Sequence, residues 1–440
     1  MVKNFTLYPI LRLDCGRQPN RTMKIVIDER IPFIRGAFER WADVVYSPGR
    51  NIDASMVADA DALIVRTRTK CNAALLEGSK VRIVASATIG FDHIDTGWLE
   101  AHGIRWANAP GCNSGSVMQY VTSLLFFLAQ KHSLNLRDLT IGIVGVGNVG
   151  SKVGRVARAL GMRVLLNDPP RERREGGQGS DTATTALSTE SATAMPTGVM
   201  VSPVWQTETA KDSRSVGMTG KTEFQPLSRL LEESDILTLH VPLTREGEDK
   251  TFHLIDAEKI SRMKRTAILI NSSRGEVVDN ISLRESLKAG LLRGAALDVW
   301  EGEPAADPEL VELADIATPH IAGYSVDGKA NATVSSVRTV AAVLGLPMRD
   351  WVPASLPQPA HPLIDLTATG GAAPLDLVAQ AVLHTYPIAE DDQLFRNGKG
   401  NFEYLRDNYR IRREFGSYCV RTTDGEAARI LSELAFQIIE

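Results

Sequence analysis

Thr140-Ile-Gly-Ile-Val-Gly145-Val-Gly147-Asn148-Val149-Gly150 is the stretch that decides the fold. Its first half is an apolar run that reads as a buried strand. Gly145, Gly147 and Gly150 then fall in G-x-G-x-x-G spacing, and Val153, Val156, Ala157 and Leu160 recur at helical period until Gly161. Strand, glycine turn and helix in that order make a dinucleotide-binding unit. Gly145 permits the tight turn. Gly147 lets the backbone approach a pyrophosphate, and Gly150 lets the helix pack closely on the strand. The pyrophosphate would sit on the helix N-terminus, where free N–H groups and the helix dipole favour an anion. Asp168 ends the next predicted strand, 18 residues after Gly150. A carboxylate there accepts hydrogen bonds from ribose hydroxyls and repels a 2′-phosphate, so the expected cofactor is NAD rather than NADP. Arg171, Arg173 and Arg174 lie just beyond and would soften that preference if they reached the ribose.

Outward from this unit, short apolar runs alternate with helical stretches. Strands are expected at 24–28, 62–66, 82–85 and 104–107, and again at 140–144, 163–167, 235–240, 266–271, 294–298 and 315–317. Such alternation implies parallel, doubly wound sheets. A long apolar segment, 114–131, is expected to be a helix linking two lobes. The Pro-rich 354–362 reads as a linker to a third unit. In that unit we expect a strand at 363–366 and helices at 376–385 and 401–413, then a strand at 417–421 and a helix at 425–439. The expected fold class is α/β: two interleaved doubly wound parallel-sheet (Rossmann-like) lobes plus a small α+β C-terminal domain. Residues 23–111 and 322–350 would form a substrate-binding lid, 112–321 the NAD-binding domain and 358–440 the C-terminal domain. Residues 1–22 read as a disordered extension. Of the 52 residues in 172–223, 22 are Gly, Ser or Thr, so this segment reads as a largely disordered insertion.

Composition agrees with a globular chain. The length of 440 residues suits about three domains. Lys plus Arg is 49 against Asp plus Glu 53, a net charge of −4, so bulk charge offers nothing to nucleic acid or to an anionic membrane. The longest apolar run, 121–129, is about half of the roughly 20 residues a membrane helix needs. Cys15, Cys71, Cys112 and Cys419 form no C-x-x-C pair and read as reduced thiols of a cytoplasmic protein, with no metal site.

Three ionisable residues follow predicted strand ends, where ligands bind in open α/β sheets. These are Arg274, Glu303 and His320. Oxidising a 2-hydroxy acid needs a base near neutrality to take the hydroxyl proton, and His320 suits it. A carboxylate on its other nitrogen, Glu303, would fix the tautomer and stabilise the imidazolium. Arg274 can hold the substrate carboxylate in a bidentate fork.

The motifs GIVGVGNVG (142–150), INSSRGEVVD (270–279), LDVWEGEP (297–304) and TPHIAGY (318–324) resemble those of the D-isomer-specific 2-hydroxyacid dehydrogenases. SATIGFDHID (86–95), APGCNSGSV (109–117) and FEYLRDNYRIRREF (402–415) are closest to a branch with a dedicated C-terminal dimerisation domain. That resemblance implies a homodimer that oxidises 4-phospho-D-erythronate with NAD in pyridoxal phosphate biosynthesis. It implies catalytic roles for Arg274, Glu303 and His320, and substrate contacts from Thr67, Thr88 and Tyr324, with Arg66 nearby. It places Asp168, Val241, Ser272, Asp298 and Gly323 along the cofactor, beside Gly145, Gly147, Asn148, Val149 and Gly150. Val241 stands where the family has Thr, and Ile89 is bulkier than the family's small residue. Cations at Arg66, Arg68 and Lys70, with backbone N–H groups of 88–90, would take the substrate's phosphate or carboxylate. The second basic cluster, Arg410, Arg412 and Arg413, needs no function if it is charge on a helix surface; the sharper expectation is that Arg412 reaches the partner's active site. Two alternatives remain at this level: a phosphoglycerate or glyoxylate dehydrogenase, and a non-enzymatic NAD-sensing scaffold on the same fold.

Overall fold

The computed structural model describes residues 22–176, 223–368, 371–398 and 401–439. The expected N-terminal extension, all but its last residue Thr22, and nearly all of the expected insertion lie outside these residues. The start of the insertion does not: 172–176 complete a helix, Pro169–Gly176.

The first sheet holds β1 (Lys24–Asp28), β2 (Asp43–Ser47), β3 (Ala62–Val65), β4 (Ile83–Ser86) and β5 (Arg105–Ala107), all parallel, in the order β2-β1-β3-β4-β5. Strand β2 was not expected. It lies at the sheet edge and is only half buried, so its pattern lacks the apolar continuity that marks its neighbours.

The second sheet holds β6 (Thr140–Val144), β7 (Arg163–Asn167), β8 (Ile236–Leu239), β9 (Ile268–Asn271), β10 (Gly294–Leu297) and β11 (Ile316–Ala317). Its order is β11-β10-β9-β8-β6-β7, again all parallel. From β6 the chain steps to β7 on one side and later to β8 on the other. That reversal opens a crevice beyond the end of β6, where the glycine turn lies. Beyond β7 a single parallel bridge, Leu166 to Phe224, extends the sheet.

The principal helices are α1 (Ser114–His132), α2 (Gly150–Ala159), α3 (Pro169–Gly176) and α4 (Val326–Leu344). The C-terminal unit adds α5 (Pro374–Thr385), α6 (Ile388–Asn397), α7 (Phe402–Asp407) and α8 (Gly425–Glu433). It also holds a parallel sheet of β12 (Leu363–Asp365), β13 (Cys419–Arg421) and β14 (Gln437–Ile439). Two expectations fail here. The predicted helix 425–439 stops at Glu433, because Ala435 takes a left-handed backbone (φ 74°) and turns the chain into β14. The predicted helix 401–413 stops at Asp407; the residues after it run irregularly into the body of the protein.

Helix α1 is apolar on nearly every side and buried from Ser114 to Phe126, as befits a helix with no solvent face. It packs against α2, α4, α5 and α6. One continuous core therefore joins Leu124 and Leu128 of α1, Ile141 and Ile143 of β6, and Val378, Val382, Ile430 and Leu431 of the C-terminal unit. Helix α4 carries the chain back to the first sheet, where Val337, Val340 and Ala341 pack with Ile25, Ile27 and Ile64. No helix among the described residues is long and apolar enough to cross a membrane. Because Leu124 is fully buried in the shared core, Leu124→Ala is expected to cost about 3 kcal/mol in urea unfolding.

Candidate active site

One line of register builds the site. Ala317 pairs with Leu297, Leu297 with Asn271, Asn271 with Leu239, Leu239 with Val144 and Val144 with Asn167. Six strands thus end at one level. The residues that follow, Thr318, Asp298, Ser272, His240, Gly145 and Asp168, line one rim.

At the glycine turn, Gly145 has φ 88°, and a Cβ on Gly150 would lie 2.0 Å from the Gly145 carbonyl oxygen. A Cβ on Gly147 would meet nothing within 4 Å, so open space faces the backbone there. Gly147 and Asn148 are exposed and Val149 half-buried. Asp168 accepts from Val146 N–H at 2.8 Å and Arg171 N–H at 3.0 Å. The neighbouring arginines are engaged within the chain. Arg171 holds Glu175 and the Val146 carbonyl, Arg173 holds Glu248 and Asp249, and Arg174 donates to the Pro170 carbonyl. Val241 lies against Gly145. The Ser272 hydroxyl is buried with no partner, a costly state that a bound ligand would relieve. A glycine cradle, an open approach and an orphan hydroxyl fit a dinucleotide.

Across the rim, His320 Nδ1 lies 2.8 Å from Glu303 Oε2. Glu303 Oε1 accepts from Trp300 N–H at 3.0 Å. With Nδ1 as donor to the carboxylate, Nε2 carries the free lone pair. Burial alone would raise the Glu303 carboxyl. The hydrogen bond and charge of His320, the Trp300 N–H and the nearby Arg406 guanidinium together hold it below its usual range. The Arg274 side chain is exposed and, among the described residues, donates to its own neighbour's carbonyl, Ser273 O, at 2.7 Å.

His320 takes a left-handed backbone (φ 57°), and the segment behind it is held from two sides. Asp298 accepts from Thr318 Oγ1 at 2.6 Å, Ile321 N–H at 2.8 Å and Ala322 N–H at 2.9 Å. Burial pushes its carboxyl up to about 6 against these bonds and against His320. Both Asp298 oxygens therefore face this segment, not the open rim. From the other side, Arg412 donates to the Ala322 carbonyl at 2.6 Å and the Ile321 carbonyl at 3.3 Å. Arg412, expected from the sequence to reach a partner's active site, is 3% exposed in its own chain, lies over the Tyr386 ring at 4.5 Å and braces the loop after its own His320. Arg413 and Glu414 continue the brace, on Asp327 and on Ser116 and Ser325. Gly323 lies against Asn113, where a Cβ would come within 2.1 Å of the amide nitrogen.

On the side of the first sheet, Thr67 is exposed just beyond β3, and Arg66 donates to the Arg30 carbonyl at 3.2 Å. Thr88 donates to the Gly90 carbonyl at 2.9 Å and lies 2.7 Å from Ser86 Oγ. Among the described residues, the N–H groups of Thr88, Ile89 and Gly90 donate to no protein group. Two cations that sequence reasoning missed lie beside Tyr324. Lys329 Nζ is 5.2 Å from its ring centroid, and Arg406 donates to its hydroxyl at 3.0 Å. Neither position has a motif of its own.

The depressed Glu303 carboxyl carries a pH signature. A carboxylate held low adds stability above its ordinary value near 4.3, and loses it as pH falls through the lower folded value. The advantage of the wild type over Glu303→Gln in urea unfolding, on the order of 1 kcal/mol near pH 5, is expected to shrink as pH falls below that value and to vanish in stronger acid.

The family model for the D-isomer specific 2-hydroxyacid dehydrogenase NAD binding domain matches residues 126–202 and 194–322. A domain family of unknown function matches 356–435. An erythronate-4-phosphate dehydrogenase of Bacteroides fragilis (strain YCH46) is 44% identical over 402 residues, covering 91% of this chain and 100% of the relative. One from Klebsiella pneumoniae (strain 342) is 39% identical, covering 95% and 99%. The solved D-lactate dehydrogenase of Aquifex aeolicus, complexed with NAD and lactic acid, matches at 25% identity and TM-score 0.51, over 73% of this chain and 96% of its own. A glyoxylate reductase from Paecilomyes thermophila shares the fold at 18% identity and TM-score 0.53, over 73% of this chain and 95% of its own. Similarity spanning nearly the whole chain, third unit included, joins a nucleotide rim that carries a paired histidine and glutamate: the chain belongs to the erythronate-4-phosphate dehydrogenases, a branch of the D-isomer specific 2-hydroxyacid dehydrogenases.

Proposed function

We propose that the protein oxidises the C2 hydroxyl of 4-phospho-D-erythronate to (R)-3-hydroxy-2-oxo-4-phosphooxybutanoate in pyridoxal 5′-phosphate biosynthesis, with NAD as cofactor. The observation that carries the mechanism is the 2.8 Å pair of His320 and Glu303 on the rim that also bears the glycine turn. Bound NAD would supply the acceptor for the hydride that leaves C2. His320 Nε2 takes the hydroxyl proton, and Glu303 holds the ring's orientation and stabilises the imidazolium that results. Arg274, with donors to spare, forks onto the substrate carboxylate. Thr67, Thr88 and the free N–H groups of 88–90 close on the same substrate from the first sheet. The Gly145–Gly150 turn and the N-terminus of α2 hold the pyrophosphate, Asp168 the ribose, and Ser272, Val241 and Gly323 line the remainder. Asp298 serves the cofactor side through the segment it pins.

In this reading residues 23–111 and 322–350 form the lid and 112–321 the NAD-binding domain, and closure between them excludes water. Residues 358–440 would make a homodimer. Of eight exposed large hydrophobic residues described, five lie in that unit: Leu363, Leu394, Tyr404, Ile411 and Ile438. A cytoplasmic location suits the three described cysteines, which are all free.

Initial rates with 4-phospho-D-erythronate, 3-phosphoglycerate and glyoxylate's 2-hydroxy acid test the substrate. The first is expected to exceed the others by roughly 100-fold or more in kcat/KM, and equal rates would refute it. His320→Ala is expected to lose about 10³-fold in kcat while still binding NAD. Light scattering is expected to give twice the 47.9 kDa chain mass, and Ile411→Asp to weaken that association.

A further inference from the structure

Two basic side chains from separate parts of the chain approach Tyr324, and a third, Arg66, lies near enough to repel one of them, Lys329. Arg66 follows β3 in the first lobe, Lys329 sits in the first turns of α4, and Arg406 lies in α7 of the C-terminal unit. Lys329 Nζ is 5.2 Å and Arg406 Cζ 5.5 Å from the Tyr324 ring centroid. Arg406 Nη2 donates to the Tyr324 hydroxyl at 3.0 Å, yet its Nε is buried with no partner. Among the described residues, no carboxylate pairs with Lys329, Arg66 or Arg406. Most other basic groups of the C-terminal unit are paired: Arg396 with Asp392, Arg410 with Glu390, Arg413 with Asp327. Burial, then repulsion from Arg66 and Arg412, holds the Lys329 ammonium below its usual range.

Glu303 is near enough to feel the Arg406 charge but is not in contact with it, and half-buried cations gathered with no carboxylate in contact are unfavourable until an anion joins them. Tyr324 lies four residues beyond His320, so the anion would lie close to the reacting carbon. Arg274 and the free N–H groups of 88–90 already suit a carboxylate. We propose that Lys329 and Arg406, gathered on Tyr324 with Arg66 beside them, form the subsite for the substrate's phosphomonoester dianion. The inference rests on the substrate reading above and gives that reading its specificity determinant. An ammonium and a planar guanidinium supply several donors, and the orphan Arg406 Nε is one of them. Because Arg406 belongs to the third unit of the same chain, that unit would complete the substrate site in cis.

The test compares wild type, Lys329→Met and Lys329→Arg, with Arg406→Gln as a second probe. Losing one charged contact to phosphate is expected to raise KM for 4-phospho-D-erythronate about 30-fold in Lys329→Met. The preference for 4-phospho-D-erythronate over D-erythronate should fall by a similar factor, with most of it restored in Lys329→Arg. Equal loss on both substrates, or an unchanged KM, overturns the proposal. Calorimetric titration of NAD-loaded protein with inorganic phosphate separates this inference from the substrate assignment. Weakened phosphate binding in Lys329→Met supports the subsite even if wild type fails to oxidise 4-phospho-D-erythronate, which would refute the substrate alone. Undiminished phosphate affinity in both Lys329→Met and Arg406→Gln overturns the subsite whatever the substrate proves to be.

Discussion

The site depends on the parallel register of the second sheet. Because Ala317, Leu297, Asn271, Leu239, Val144 and Asn167 are paired in one row, six loops leave the sheet together. A strand slipped by one residue would swap its side chains between the two packed faces, where they no longer fit their neighbours, and lift its loop off the rim. Buried apolar runs on both faces of β6, β8, β9 and β10 prevent that slip. The chemistry is therefore positioned by strands that contribute no reacting atom.

Register alone does not orient His320. Its left-handed backbone needs support, and the support is ionic: Asp298 takes the N–H groups of Ile321 and Ala322 while Arg412 takes their carbonyls. An anion and a cation thus grip successive peptide groups from opposite sides. Each charge is buried, so each would be costly without the other's polar surroundings. Tyr386 and Tyr409 both donate to Asp391 behind Arg412, which extends the network into α5 and α6. The third unit is bonded into the loop after His320 as well as sharing the core beneath it.

Much of this was readable in the chain itself. The strands of both large sheets stand out because apolar runs end in turn residues, and the glycine spacing locates the crevice. His320, Glu303 and Arg274 drew attention because each follows a strand end. What stayed hidden has physical reasons. Strand β2 lies on an edge and shows neither a continuous nor a clean alternating pattern. Strand β14 depends on one left-handed residue, Ala435, that no residue preference announces. The bracing role of Arg412 within its own chain was not legible, because a basic run normally marks a solvated face. Its partners are backbone carbonyls about 90 residues away, and carbonyls leave no trace in a sequence. Lys329 and Arg406 were missed for a like reason, since their meaning comes from converging on Tyr324.

The brace on Ile321 and Ala322 also sets an order in time. A chain made from its N-terminus has every strand of the nucleotide-binding sheet in hand by Ala317. The guanidinium that braces the loop after His320 arrives only with residue 412, 91 positions beyond Ile321. Contacts this distant in sequence close late, because loop closure must precede them. During synthesis the protein would be a nucleotide-binding fold first and a dehydrogenase last, with no competent site until its C-terminal unit has docked.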